Sequence, residues 1–103
     1  MIFYHATPKE NIFSIMKEGI KIGWDGCIYL CKSPTDCLLF FISNPLNKGK
    51  RFAVIPIDLD PEQVKESYDH NKEFIKCDAY FYDKPIPAEK IPKNLDDILL
   101  YKL

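Results

Sequence analysis

Along this chain the spacing of apolar residues changes period several times, and each change predicts an element. Residues 2–5 read as a short strand in which Ile2 and Tyr4 alternate with His5. Ala6-Thr7-Pro8 ends that strand and opens a helix over residues 8–18. Thr7 is placed to cap the free amides, Pro8 suits the first helical position, and Glu10 completes a capping box. Ile12, Ile15 and Met16, with Phe13 beside them, follow helical spacing, and Gly19 is placed to stop the helix in a left-handed turn. Ile20 and Ile22 then approach a turn, Gly23-Trp24-Asp25-Gly26, before an apolar run at residues 27–31 that is short enough for a buried strand.

Ser33-Pro34-Thr35-Asp36 repeats the helix-start signal, with a capping serine, a first-position proline and a negative charge in the first turn. The helix it opens, residues 34–43, is apolar on nearly every side and reads as sandwiched between layers. A polar loop (44–50) precedes a strand at 52–59, whose Pro56 lacks an amide donor and so predicts a sheet edge or a bulge. Asp60-Pro61-Glu62 starts a helical turn reaching about Lys65, and residues 66–76 read as an irregular polar loop. Residues 77–83 alternate and are rich in aromatics, as a strand would be. A proline-broken stretch, a turn at 88–91 and a last strand at 98–103 complete the order. Both helices fall early and most strands late, which predicts an α+β domain rather than a βαβ series.

A length of 103 residues predicts one domain spanning residues 1–103, and 47% hydrophobic residues suffice to fill its core. The net charge of −1, built from mixed signs, argues against a nucleic-acid-coating surface. No apolar run approaches the roughly 20 residues that span a bilayer. The first residues lack the basic stretch and apolar core of a signal peptide, so the expected location is cytoplasmic, with no membrane partner. The four cysteines, Cys27, Cys31, Cys37 and Cys77, sit in apolar segments without ligand spacing, which predicts reduced thiols and no metal. Arg51 is the single arginine, so a forked clamp for phosphate can come from one side chain alone, the other reading being a solvated edge charge.

Individually the candidate residues are ambiguous. His5 at a strand end is either a structural hydrogen-bonding residue or part of a cleft, and Tyr29 in Cys-Ile-Tyr-Leu-Cys is either core or a stacking surface with a polar tip. Trp24 either covers the core or forms an adenine-stacking wall. Within residues 67–74, Asp69 can orient His70 as a base while Glu73 acts on a sugar, or the cluster is simply a solvated loop.

Taken together, Tyr-His-x-Thr on a strand, a helix ending Lys-Glu-Gly-Ile, a strand with Ile-Tyr-Leu and a helix after Ser-Pro-x-Asp resemble the small ADP-ribosyltransferase superfamily domains of the diphtheria toxin and poly-ADP-ribose polymerase type. Residues 52–60 are similar to that family's middle strand, and Ile86-Pro87-Ala88-Glu89-Lys90-Ile91 follows its late strand. The resemblance implies a compact split β-sheet with two early helices and a cleft for NAD or a related nucleotide. In that cleft His5 hydrogen-bonds the nicotinamide ribose and Tyr29 stacks on the ring, one cleft serving both. Thr7, Trp24 and Arg51 are further candidate nucleotide contacts. The family glutamate falls at Ala79 in the best register, with Asp78 one residue before, so the candidate catalytic acids become Glu73, Asp69 and Asp78, with His70 as a base. The implied activity is transfer of ADP-ribose to an acceptor such as a protein, or NAD hydrolysis. The alternative is a module that sequesters or senses ADP-ribose, NAD or a nucleotide second messenger, as a phage or mobile-element protein blocking a nucleotide-signalled defence would. A third reading keeps the fold and uses the apolar run 38–42 to meet another protein, and association into oligomers is compatible with all three.

Overall fold

The computed structural model describes residues 1–22, 26–42, 45, 48–66 and 79–102, with Phe40, Phe41, Glu66 and Ala79 described by their backbone alone. Six strands run through them: β1 (Ile2–Pro8), β2 (Ile28–Cys31), β3 (Arg51–Asp58), β4 (Lys65–Glu66), β5 (Ala79–Tyr82) and β6 (Leu99–Lys102). They form one sheet in the order β4-β5-β2-β1-β3-β6, and every neighbouring pair is antiparallel. With helices α1 (Ile12–Glu18) and α2 (Pro34–Ile42) against it, the domain is α+β, as the order of signals predicts. No described helix is long and apolar enough to cross a membrane.

Strand alternation divides the core between the two faces of the sheet. Phe3, Ile28, Leu30, Ala53, Ile55 and Ile57 form the larger core with Ile12 and Ile15 of α1, closed by Ile20, Ile86, Ile91 and Ile98. On the other face Cys31, Phe52 and Val54 meet Cys37 and Leu38 of α2, together with Tyr4, Ala6 and Tyr101. Cys27, Cys31 and Cys37 are free thiols, and Cys77 lies outside the described residues.

The first helix starts later than its capping signal predicts. β1 stays extended through Thr7 and Pro8, which pair with Ala53 and Phe52, and a short 3-10 turn (Lys9–Asn11) precedes α1. No side chain caps that turn or α1. A cap is worth about 1 kcal/mol, whereas burying an aromatic such as Phe52 is worth about 1.5–3 kcal/mol, so holding the ladder wins. By contrast the Ser33 cap forms, with Asp36 N–H donating to Ser33 Oγ at 3.1 Å, and so does the Asp60 cap, with Glu62 N–H donating to Asp60 Oδ1 at 3.0 Å.

Two other expectations are corrected. α2 is not sandwiched: Cys37 is buried on β1 and β2, but Leu39 and Ile42 are 39% and 55% exposed, so one layer covers it on one side. Pro56 is not on an edge strand, since β3 lies between β1 and β6. It is tolerated because β6 pairs only with Arg51–Val54, leaving Pro56 past the end of that ladder.

Candidate functional site

β1 and β2 register through Tyr4 opposite Cys31 alone among the described residues, whereas β1 and β3 pair at every position from Ile2 to Pro8. The two halves of the sheet therefore part just past Tyr4, and His5 stands at the point of parting. Its imidazole takes up a main-chain group that a continuing ladder would have used: Nδ1–H donates to the Tyr29 carbonyl at 2.9 Å. A carbonyl can only accept, so the ring carries its proton on Nδ1 and keeps Nε2 as an acceptor.

Burial pushes the His5 pKa below its ordinary value of 6.5, more than the Tyr29 carbonyl raises it, so the neutral ring is the stable form. Because the unfolded chain protonates at the ordinary value and the folded one lower, the unfolded state binds more protons between the two. Stability is then complete above 6.5 and falls as the pH drops below it. Denaturant unfolding between about pH 8 and pH 5 should show this decline, and His5→Asn should flatten it; an unchanged slope in the variant would remove His5 as its source.

His5 lines a cavity of about 240 Å³ between β1 and α1, with Thr7, Asn11, Ser14 and Lys21 among its walls. Thr7 is 5% exposed and its buried hydroxyl is satisfied, since Asn11 Nδ2–H donates to Thr7 Oγ1 at 3.2 Å. Asn11, at the end of the 3-10 turn, and Ser14 and Glu18 of α1 line the same side of the cavity, while Ile12 and Ile15 enter the core. Glu18 is the one carboxylate among the described lining residues, and Lys21 stands 3.6 Å from it in an exposed ion pair. The wall is completed by Gly19 and Ile20, held by reciprocal hydrogen bonds between Ile20 and Ile86 at 2.8 and 2.9 Å.

Of the residues singled out from sequence, His5 and Thr7 share this cavity. Tyr29 reaches His5 through its main chain. Its side chain alternates with buried Ile28 and Leu30 and falls on the side of Cys31, so it is not one of the cavity's described walls, and the single shared cleft expected for both side chains is corrected to this main-chain link. Arg51 lies elsewhere, in a second cavity at the start of β3. Trp24, Asp69, His70, Glu73 and Asp78 lie outside the described residues. Asn11, Ser14 and Glu18 were not singled out, because on sequence they read as the solvated side of a helix, and Lys21 follows its end as a solvated charge. Their spacing relative to Ile12 and Ile15 was the available signal.

No protein-family model matches the chain, and no curated protein matches it.

Proposed function

We propose that this chain is an ADP-ribosyltransferase-like protein that binds NAD or a related nucleotide in the His5 cavity. One observation carries the reading: a neutral imidazole, fixed by Nδ1–H to the Tyr29 carbonyl where the sheet parts, offers Nε2 as an acceptor beside a polar-walled cavity. An acceptor of that kind suits a ribose hydroxyl, the role the resemblance assigns to His5. The cavity's 240 Å³ is below the roughly 300–1,000 Å³ of sites that enclose a whole drug-sized ligand, so it suits one nucleoside end of a dinucleotide. The parting of β1 from β2 also supports the split-sheet reading. On this reading Thr7 borders the nucleotide together with His5, and the acid for ADP-ribose transfer or NAD hydrolysis comes from Asp69, Glu73 or Asp78, with His70 as a base. Asp78 directly precedes Ala79, which pairs with Cys31, itself opposite Tyr4.

A second reading, binding without turnover, has its own support. Ala79 stands in β5 where the family glutamate is expected, and the cavity's one described carboxylate is already paired with Lys21. Both readings are tested by thermal shift over NAD, ADP-ribose and cyclic nucleotides, because a ligand that binds the folded state raises its melting temperature. His5→Ala should remove at least ~1 kcal/mol of that ligand-induced stabilisation, the worth of a hydrogen bond, while leaving the unliganded fold intact at neutral pH. No shift with any nucleotide would defeat the proposal.

A further inference from the structure

The second cavity, about 310 Å³, is lined by Lys9, Arg51, Leu100, Tyr101 and Lys102. Three of these five residues are cationic, none of its described walls is acidic, and the chain as a whole carries a net charge of −1. Among the described residues none of the three cations stands in an ion pair with a carboxylate. Arg51 and Lys102 are direct partners across the β3–β6 ladder. Like charges placed opposite one another in a sheet repel, so the fold carries this pair at a cost. Lys9 adds a third positive charge from the 3-10 turn that follows β1, the turn that replaced the expected first turn of the helix.

We propose that Lys9, Arg51 and Lys102 form an anion site, separate from the His5 cavity, that takes a diphosphate group. A concave surface walled by cations that have no described ion-pair partner concentrates the field on whatever occupies it. Arg51 supplies the planar fork that matches two phosphate oxygens at once, and the two lysines act as point charges beside it. One phosphate ester carries about −1.5 to −2 charges at neutral pH, so three cations match more than a single phosphate. An anion in place also relieves the Arg51–Lys102 repulsion, which converts a destabilising pair into binding energy.

The test uses inorganic pyrophosphate titrated into the protein by calorimetry at low ionic strength, with no nucleotide present, so its outcome does not depend on whether the His5 cavity binds one. Binding at one site is expected, weakening as salt is added. Arg51→Gln should lower the affinity at least ~10-fold, the scale of a lost charge-assisted hydrogen bond. Lys102→Glu should abolish binding and at the same time raise the melting temperature, because it replaces the repulsive pair with an attractive one. Lys21→Gln, which removes the cation of the His5 cavity, should keep the affinity. A parallel titration with ADP, counting only the binding that Arg51→Gln removes, separates the two sources of a diphosphate: equal affinities mark the free ion, and a tighter ADP marks a nucleotide. Absence of pyrophosphate binding, full affinity in Arg51→Gln, or an equal loss in Lys21→Gln would overturn the site.

Discussion

Gly19→Ala is expected to cost at least about 3 kcal/mol of stability, lowering the melting temperature by more than about 12 °C in a domain of this size. Two physical terms add. Gly19 ends α1 with a φ of 80° and a ψ of −169°, a region that alanine adopts only under strain. A β-carbon there would also overlap the Ile86 carbonyl oxygen and come within 2.9 Å of Ala88 N. Those atoms cannot give way cheaply, since the Ile86 carbonyl accepts from Ile20 N–H in the bridge that ties the end of α1 to the segment after β5. Gly26 provides the control. Its φ is 81° but no described atom lies within 4 Å of its missing side chain, so Gly26→Ala should show the strain alone, about 1–2 kcal/mol. Equal melting temperatures for the two variants would show that the close approach at Ile86 contributes nothing.

The second large effect concerns turnover. If NAD is cleaved, Glu73→Gln is expected to reduce nicotinamide release at least ~100-fold with ligand affinity nearly intact, as when a group that stabilises developing charge is removed. An acid must be supplied to the positive sugar as nicotinamide leaves. Glu18 is poorly suited, because Lys21 already neutralises it at the exposed rim of the cavity. Asp78 comes next to Ala79 on the approach to β5, and successive strand residues face opposite ways, so serving the position of Ala79 would require a bulge. Glu73 has the longer side chain, and the sequence reading assigns it to the polar loop before the strand. The assay follows free nicotinamide over a buffer control. Release that persists undiminished in Glu73→Gln would exclude it as the acid, and a wild type that binds NAD but releases nothing would leave the binding module as the function.

Where local chemistry alone decided an element, the sequence was readable. Ser33 and Asp60 cap helical turns by accepting from backbone amides two or three residues away, so the partners lie within the same stretch of sequence. Thr7-Pro8-Lys9-Glu10 carries an equally good signal and fails, because β3 claims Thr7 and Pro8 for the ladder. That competitor lies far along the chain and leaves no mark near Thr7. Pro56 misled for the same reason, since where β6 stops is a property of the partner strand. α2 shows the limit of composition: its apolar run does not say which of its residues the sheet will cover.

The site divided along similar lines. His5 was singled out through the order of strands and helices that carries the resemblance, because a histidine at a strand end is ambiguous on its own. The polar walls on and beside α1 were not, because Asn11, Ser14, Glu18 and Lys21 acquire their setting only when α1 folds back over β1. The separation of Arg51 from His5 follows from pairing as well. Ile55 and not Arg51 is the β3 residue opposite His5, which leaves Arg51 at the far end of the same strand.

The sheet order also sets the tempo of assembly. β1 is the first strand of the chain and lies at the middle of the sheet, yet its long ladder joins Ile2 to Asp58 and Pro8 to Phe52, and β6 arrives from the end of the chain to cover β3. Closing such distant segments costs chain entropy before any rung is gained, which puts folding in the slow, milliseconds-to-seconds regime of non-local β topologies rather than that of helical bundles. During synthesis, β1 and α1 leave the ribosome with Phe3, Ile12 and Ile15 uncovered and wait for β3 before they can be buried. A central first strand thus lengthens the interval in which the nascent domain exposes its core, and makes the completion of β3 the event that ends it.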